Sequence, residues 1–536
     1  MRFIADGPEL PDELLTARDA GHVLFFCGAG VSQAEAHLPN FPSLAGRVLS
    51  SLGSALDSPA RRLFSASQDF EKATGLTGVV ATDRIFGLLE QEFYPEEVRQ
   101  AVAKALVPPH GHGLGAHRTL LDLSRDPADV VRLITTNFDR LFEDCDPGLG
   151  SFNPPHLPDP RRPADFRGVI HIHGRVDAEY SRACDNEFVL SSADFGRAYL
   201  ADGWATRYIR TLLQRFKIVF VGYSADDPPV QYLLEALSRE EDRPNDLYAF
   251  QSGSIDQAAA QWKHKGVQPI AYDSANGHFA LWETLRAWAD RARDVDAWHE
   301  RVIAMAAAGP GALQPHERGI VAHVAATRDG ARRLADKGTP LPAEWLCVFD
   351  PKRRYAPPGP RDPHVEGSER VDPFDLLSLD SDRPPPTTDP DDRFSSREAP
   401  ADAWDLLAAT EADRERLAPD ATGRLRGPDA GRPSKLPTRL WHLGAYLVRV
   451  AHQPAAIWWA AHQHGLHPDV VSHLEWSLRQ QQDRFPATIR EAWRLLIAAW
   501  RTDPPDPNRQ RYEIEAVVAQ SGWSTAAVRS TIDMYR

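Results

Sequence analysis

The sequence predicts an α/β protein, in which a Rossmann-like doubly wound parallel sheet with helical inserts is followed by a mainly α-helical C-terminal region. Two observations carry this prediction. Over about the first 290 residues, short apolar runs alternate with helical stretches, which is the pattern of βαβ units. Beyond residue 403, apolar residues recur at helical spacing instead.

The first strand is predicted at "VLFFC", residues 23–27. An apolar run this short, bounded by glycines, is typical of a strand buried on both faces of a parallel sheet. Similar runs follow, so further strands are predicted at 130–135, 168–173, 217–222, 247–250 and 267–272. Helices are predicted at 11–20, 43–56, 83–106, 114–125, 203–215 and 228–239.

Composition divides the rest of the chain. Residues 280–340 are Ala-rich and helical in pattern, whereas residues 351–400 contain 11 prolines and predict an extended linker. The expected domains are an α/β domain at 1–290, a helical connection at 291–350, a Pro-rich linker at 351–402 and a helical region at 403–536. The final stretch, "STAAVRSTIDMYR", has no closing Gly or Asn, which favours a helical array that continues.

The C-terminal region is rich in tryptophan. Residues 403–536 contain eight of the 14 tryptophans, and Ile489, Trp493, Leu496 and Trp500 recur at spacings of four, three and four. This periodicity predicts one apolar helix face. A nucleotide or peptide reader is the alternative, but aromatic residues at helical spacing favour a plain core.

Charge and cysteine content exclude several classes of protein. The 536-residue chain carries a formal net charge of -14, which argues against nonspecific binding to nucleic acid or to an anionic membrane. Its four cysteines form no CxxC pair, so neither a structural zinc site nor a disulfide framework is expected. No run approaches the roughly 18 apolar residues that span a bilayer. The N-terminal "MRFIADGPEL" lacks the apolar core of a signal peptide, and a cytoplasmic protein is expected.

The first strand leads directly into "GAGVS", residues 28–32. Gly28 and Gly30 lack a Cβ, so the backbone can turn sharply here and approach a phosphate-bearing ligand. A tight turn without a ligand is the competing interpretation, since short glycine patterns recur by chance.

Polar and glycine residues follow three more predicted strands. Because the carboxyl ends of the strands form the ligand crevice of an open α/β sheet, these residues are expected to meet there. They are Asn137 and Asp139 after the second strand, His173 and Gly174 after the third, and Gly222, Ser224, Asp226 and Asp227 after the fourth.

Five motifs occur in order along the chain: "GAGVS", "LPNF", "TTNFD", "HG" and "GYSADDP". Together they resemble the sirtuin-like NAD-binding domain, and in particular the bacterial branch of defence-associated sirtuins found in antiphage proteins. The resemblance covers about residues 8–290. It implies a Rossmann-like fold and NAD as substrate, so the domain at 1–290 is expected to be an NAD-binding catalytic domain and the region at 403–536 a helical sensor and regulatory region.

The resemblance also implies roles for individual residues. Asn137 and Asp139 would lie at the nicotinamide ribose, and His173 would be the base or hydrogen-bond acceptor that faces a ribose hydroxyl. An imidazole in that role contributes a factor of about 10² to 10⁴. The residues implied to contact NAD are Gly28, Ala29, Gly30, Ser32, Phe41, Thr135, Gly222, Ser224 and Asp226.

The chain departs from sirtuin deacylases at two points. It lacks the Cys pairs of their zinc module, and it has Asn40, Phe41 and Pro42 where deacylases carry Asp-Phe-Arg. The expected reaction is therefore NAD+ hydrolysis to nicotinamide and ADP-ribose, and the protein is expected to be an antiphage effector. Its C-terminal region is expected to recognise the trigger and to keep the catalytic domain inactive until the trigger binds. Protein deacylation or ADP-ribosylation, and a non-catalytic NAD or ADP-ribose sensor, are the alternatives. A homo-oligomer and a phage-protein trigger are expected partners.

Several histidines and carboxylates allow a plainer interpretation. His171 and His173 form an HxH pair and "HGHGLGAH" supplies His117, yet neither has a recognisable metal-ligand pattern, so no metal is expected. Cys27 is interpreted as a core residue. Asp226 and Asp227 fit a helix N-terminal cap as well as a site.

Overall fold

Seven strands form one parallel sheet in this computed structural model, which describes residues 1–75, 81–162, 164–223, 234, 247–350, 377, 379, 438–461, 463 and 466–500. The strands are β1 Val23–Cys27, β2 Arg132–Thr135, β3 Ser151–Phe152, β4 Gly168–His171, β5 Lys217–Val221, β6 Leu247–Ser252 and β7 Gln268–Tyr272. Their order is β3-β4-β2-β1-β5-β6-β7. The predicted α/β class and all six predicted strands are confirmed; β3, only two residues long, was not predicted.

Strand β1 lies in the middle of the sheet. All five of its residues are buried, and Phe25 pairs with Leu133 of β2 on one side and with Val219 of β5 on the other. An uninterrupted apolar run is what such a position requires, because both faces of the strand are covered. After β1 the chain adds β2, β3 and β4 on one side of that strand, and it then returns to add β5, β6 and β7 on the other side. The order in which strands are added therefore reverses between β1 and β5. Ligands bind at this kind of switch point.

The first of two compact units comprises Asp6–Val295 and contains the sheet. Its described helices are α1 Asp12–Asp19, α2 Ala29–Ala36, α3 Phe41–Ser51, α4 Pro59–Thr74, α5 Thr82–Glu92, α6 Pro95–Ala105, α7 Gly115–Leu123, α8 Leu141–Cys145, α9 Ser192–Phe195, α10 Trp204–Leu213, α11 Ile255–Trp262 and α12 Ala275–Arg293, with a π-helix at Gly196–Ala201. Short 3-10 helices lie at Cys184–Asn186 and Lys263–Lys265.

One predicted helix, 83–106, is two helices in the structure. Helix α5 ends at Glu92 and α6 begins at Pro95. The residue before a proline is disfavoured in the α region, and Tyr94 accordingly has extended backbone angles, φ -63° and ψ 137°. The break therefore follows from Pro95, which the sequence shows at the first position of the second helix.

The second unit takes in Met1–Ala5 and the described residues from Asp296 onward. Its helices are α13 Val295–Ala306, α14 Pro315–Ala326, α15 Arg328–Asp336, α16 Trp345–Phe349, α17 Thr438–Val450, α18 Pro454–Ala461, α19 Pro468–Gln480 and α20 Ala487–Trp500, with 3-10 helices at Pro310–Ala312 and Gln482–Arg484. The predicted apolar face of α20 is confirmed at Ile489, Trp493 and Leu496, which are all buried. The indole N–H of Trp493 donates to the Ala451 carbonyl oxygen at 2.7 Å, so this tryptophan belongs to the core.

Some predictions fall outside the described residues. These are the Pro-rich segment apart from Leu377 and Leu379, the helix at 228–239 apart from Leu234, the side chain of Trp500 and the final stretch of the chain. The domain boundaries drawn from composition stay predictions. Within the described residues, no helix combines the length and the apolar character needed to cross a membrane.

Candidate functional site

The turns that follow β1 and β5 pack directly against each other. The N–H of Gly28 donates to the Val221 carbonyl oxygen, and that of Gly30 donates to the Gly222 carbonyl oxygen, both at 2.9 Å. A Cβ on Gly30 would lie 2.8 Å from the Gly222 Cα, and one on Gly28 would lie 2.7 Å from the Gly222 oxygen. Both glycines are therefore explained by backbone packing, and Gly222 by its φ of 76°.

Asn137 follows β2 and reaches across to the glycine turn. Its Nδ2 group donates to the Gly28 carbonyl oxygen at 3.1 Å and to the Ser32 Oγ at 3.0 Å. Its own backbone N–H donates to the Thr135 Oγ1 at 3.0 Å. Because both amide hydrogens are used by the protein, the Oδ1 oxygen is the atom that Asn137 can offer to a ligand.

Ser32 lies at the centre of a buried hydrogen-bond network. Its hydroxyl donates to the Asp139 Oδ2 at 2.7 Å, so its lone pairs accept from Asn137 and from the Nε2–H of His117 at 3.2 Å. Burial raises the pKa of Asp139, although the Ser32 hydroxyl and the Leu141 N–H both favour its charged form. Burial lowers the pKa of His117 to about 3, so this imidazole is neutral. Its Nδ1 has no hydrogen-bond partner among the described residues.

His171, the last residue of β4, holds the backbone of Asn137 through a hydrogen bond. Its Nδ1 bonds to the Asn137 carbonyl oxygen at 2.9 Å and its Nε2 to the Glu143 Oε1 at 3.2 Å. Burial alone would raise the pKa of Glu143, but the charge and the hydrogen bond of His171 hold that pKa at about 2. The Glu143 Oε1 also accepts from the Ser151 hydroxyl at 2.6 Å, so this carboxylate is held by partners on two elements.

His173, two residues further on, has quite different surroundings. Its Nε2 lies 2.7 Å from the Tyr199 hydroxyl, and its ring packs edge-to-face against Phe195 and Tyr199. The side chain is 2 % exposed, and burial lowers its pKa to about 3. The two histidines of the HxH pair therefore bind separate partners and do not converge on a common point.

A cavity of about 700 Å³ opens at the carboxyl edge of the sheet, beside the β1–β5 switch point. This volume falls within the roughly 300–1,000 Å³ typical of small-molecule sites. The predicted site residues that line it are Ala29, Gly30, Ser32, Phe41, Asn137, Asp139, His173 and Gly222. The structure thus brings residues from four strand ends to one cavity, as the strand-end argument predicted.

Among the described residues, two predicted ones are not part of the cavity lining. Gly28 and Thr135 lie behind its lining, where the Thr135 Oγ1 donates to the Cys27 carbonyl oxygen at 2.9 Å. Ser224 and Asp226 lie outside the described residues, as does Asp227. Roles in NAD binding stay predictions for all of them.

Sequence reasoning missed part of the lining. Gln251 and Ser252 end β6 and Tyr272 ends β7, so the same strand-end argument would have found them had it been extended to these strands. Two residues behind the lining have no such sequence pattern. Tyr199 contacts His173 and His117 contacts Ser32, and the residues of each pair are far apart in the sequence.

One group in the second unit has the residue types of a metal site. Possible ligand atoms of Asp296, His299 and Asp329 lie within 4.8 Å of one another. The guanidinium of Arg333, however, donates to Asp296 and to Asp329, each at 2.6 Å. Arg333 thus supplies the positive charge between these carboxylates, and a cation would have to displace it.

Comparison with known proteins agrees with this geometry. Residues 131–270 match the family model of the SIR2-like domain. The chain is also 34% identical over 329 residues to "Uncharacterized protein y4cA" of Sinorhizobium fredii (strain NBRC 101917 / NGR234), an alignment that covers 58% of this chain and 26% of that protein. The chain therefore spans about a quarter of the length of this curated relative. The matched residues run from β2 into β7, and this part of the chain is similar to the SIR2-like domain of the sirtuin-like NAD-binding proteins.

Proposed function

We propose that the protein is an NAD+ hydrolase that releases nicotinamide and ADP-ribose. The observation that carries the proposal is that Asn137 and His173 line the same cavity as Gly30 and Gly222, at the switch point of the sheet. A SIR2-like domain is compatible with an NAD-using enzyme, and the cavity offers polar groups suited to a ribose.

In the proposed reaction, a water oxygen bonds to the anomeric carbon of the nicotinamide ribose. The bond from that carbon to the nicotinamide nitrogen breaks, and its electron pair stays on the nitrogen, so neutral nicotinamide leaves. The attacking water loses one proton, and ADP-ribose is formed. Positive charge builds on the sugar as the bond breaks, so groups that orient the ribose hydroxyls and the water favour this step.

Asn137 and His173 supply groups of this kind. The Asn137 Oδ1 can accept from a ribose hydroxyl or from the attacking water, because the amide nitrogen is already held by Gly28 and Ser32. The buried His173 has a pKa of about 3 and is neutral at pH 7, so one of its nitrogens is free of a proton and can accept. Asp139 acts on Asn137 through Ser32.

We further propose that this activity serves antiphage defence in the cytoplasm, as part of a homo-oligomer. The support is the resemblance of five motifs to defence-associated sirtuins, together with a second compact unit whose described residues are helical. Uncontrolled loss of NAD would harm the host cell. The helical unit would therefore keep the site inactive until a phage component binds.

The test is nicotinamide release from NAD+ by the purified full chain, with and without phage lysate. Release should depend on lysate, and Asn137→Ala or His173→Ala should reduce it by about 10²-fold or more, with little change in the dissociation constant of NAD+. His264→Ala is the control, because His264 is exposed and its Nδ1 bonds to the Ala260 carbonyl oxygen of the preceding helix α11 at 3.1 Å.

Three results would contradict the proposal. NAD+ binding without turnover under either condition indicates a sensor. Turnover that requires an acyl-lysine peptide indicates a deacylase. Equal activity of the wild type and His173→Ala removes His173 from the reaction.

A further inference from the structure

We propose that Tyr199 is the positioning residue of His173, and that its hydroxyl fixes the orientation of the imidazole at the cavity. This inference rests on the proposed hydrolase function. It adds a residue that none of the five sequence motifs contains.

The contact between the two side chains is short and enclosed. The Tyr199 oxygen lies 2.7 Å from the His173 Nε2, and the two side chains are 3 % and 2 % exposed. The Phe195 ring stacks on Tyr199 at 6.1 Å and meets the imidazole edge-on at 5.2 Å. Two aromatic rings therefore restrict the tilt of the imidazole, while the hydroxyl selects its rotation.

The backbone that carries Tyr199 is also fixed. Tyr199 belongs to the π-helix Gly196–Ala201, and π-turns of this kind occur often at functional sites. The Thr206 hydroxyl donates to the Tyr199 carbonyl oxygen at 2.9 Å, which ties the π-helix to α10. Before it, the Asp194 carboxylate caps the start of α9 through the Ser191 N–H at 3.0 Å. The phenol is thus presented from a braced segment.

The position of the single proton on the neutral His173 ring decides which nitrogen can accept a hydrogen bond. A neutral imidazole has one N–H and one bare nitrogen. Nε2 faces Tyr199, and Nδ1 has no hydrogen-bond partner among the described residues. If Nε2–H donates to the phenol oxygen, Nδ1 is left as the acceptor for water or a ribose hydroxyl. When Nδ1 takes a proton, the bond from Nε2–H to the phenol becomes charge-assisted and stronger.

This arrangement follows the general logic of a base oriented by a third group. The orienting group here is a neutral phenol rather than a carboxylate, and burial is the sole cause that lowers the pKa of His173. The imidazole is consequently kept uncharged between turnovers, ready to accept.

The matched test compares Tyr199→Phe with Tyr208→Phe. Both changes remove one hydrogen-bonded hydroxyl and keep the ring, but Tyr208 is half-buried and its hydroxyl donates to the Pro158 carbonyl oxygen rather than to His173. We expect Tyr199→Phe to lower kcat by at least about tenfold with KM and the NAD+ dissociation constant within about threefold, and Tyr208→Phe to leave all three unchanged. In a His173→Gln background, Tyr199→Phe should cause no further loss, because the two residues act as a unit.

Different failures point to different conclusions. If the wild type is active and Tyr199→Phe retains its kcat, the positioning role is wrong and the hydrolase function stands. If kcat and NAD+ affinity fall together with the thermal midpoint, Tyr199 is merely structural. A wild type that binds NAD+ but releases no nicotinamide, with or without phage lysate, overturns the proposed function and this role with it.

Discussion

The N–H of Gly30 donates to the carbonyl oxygen of Gly222 at 2.9 Å, which joins the turn after β1 to the turn after β5. These two turns are far apart in the chain and adjacent in space. Their contact closes the back of the cavity and sets the position of Ser32, which follows Gly30 by two residues in helix α2. The glycine motif is therefore first of all a requirement of the fold.

Gly30→Ala should destabilise the protein by about 1–3 kcal/mol, because its Cβ would lie 2.8 Å from the Gly222 Cα and the backbone there must shift. Gly87→Ala is the matched control. Gly87 lies inside α5, and a Cβ there would meet only the Ser192 nitrogen, at 4.0 Å. We expect it to stabilise by about 0.5–1 kcal/mol. Urea unfolding measures both, and equal effects of the two changes would contradict the packing argument.

Asn137→Asp should abolish nicotinamide release and lower the free energy of unfolding by about 1–3 kcal/mol. The new carboxylate would face the Gly28 carbonyl oxygen, which also only accepts, where the Asn137 Nδ2 donates at 3.1 Å. Asn137→Ala lacks this repulsion and should be the more stable of the two near pH 7. Denaturant unfolding ranks the pair, and the reverse order would show that the amide does not face Gly28 as described.

His117 and His173 predict a loss of stability in mild acid. Burial lowers both pKa values from 6.5 to about 3, so the unfolded chain binds more protons between those values. The contribution that the neutral His117 and His173 make to the free energy of unfolding is therefore fully present above about pH 6.5, and it is lost as the pH falls towards 3. Each histidine should contribute a loss of about 2 kcal/mol between pH 7 and pH 5.

His117→Gln tests this linkage, because its amide nitrogen can still donate to Ser32 but does not titrate. The difference in unfolding free energy between pH 7 and pH 5 should shrink by about 2 kcal/mol in this variant. An unchanged pH dependence, measured by urea unfolding at both values, would mean that His117 is protonated in the folded state.

Glu143→Gln should reduce stability by about 3 kcal/mol at pH 7, because it removes the buried carboxylate whose charged form the fold favours through His171 and Ser151. Glu143 has a pKa of about 2 in the folded protein against 4.5 in the unfolded chain, so its contribution is present above pH 4.5 and is lost as the pH falls towards 2. Asp290→Asn breaks an exposed pair with Arg293 and should change little. A similar small effect of Glu143→Gln would show that the folded protein does not favour the charged form of Glu143.

Strong local patterns made most of the sheet predictable. The run Val23–Cys27 is apolar throughout, and a strand buried on both faces is the simplest structure that satisfies it. The parallel order then follows from the alternation of strands and helices, and it places Asn137 and His173 at one edge. Strand β3 escaped prediction because its two residues, Ser151 and Phe152, have no periodicity to detect.

The supporting contacts of the site were not predictable in the same way. That Tyr199 meets His173, or that His117 meets Ser32, depends on how a π-helix and α7 dock against the sheet. Such docking is set by the shapes of many side chains at once, and no short motif records it. Sequence reasoning therefore identified residues that line the cavity, such as His173 and Ser32, better than the residues that are hydrogen-bonded to them.

The central position of β1 has a further consequence for biosynthesis. Its most apolar residues are made early, yet their partners Leu133 and Val219 lie much further along the chain. Until β2 and β5 have left the ribosome, the apolar side chains and the backbone edges of β1 stay exposed and prone to aggregate. Sheets built from such distant pairings also form slowly. Overproduction of the protein at reduced temperature, or beside additional chaperones, should accordingly raise the yield of folded material.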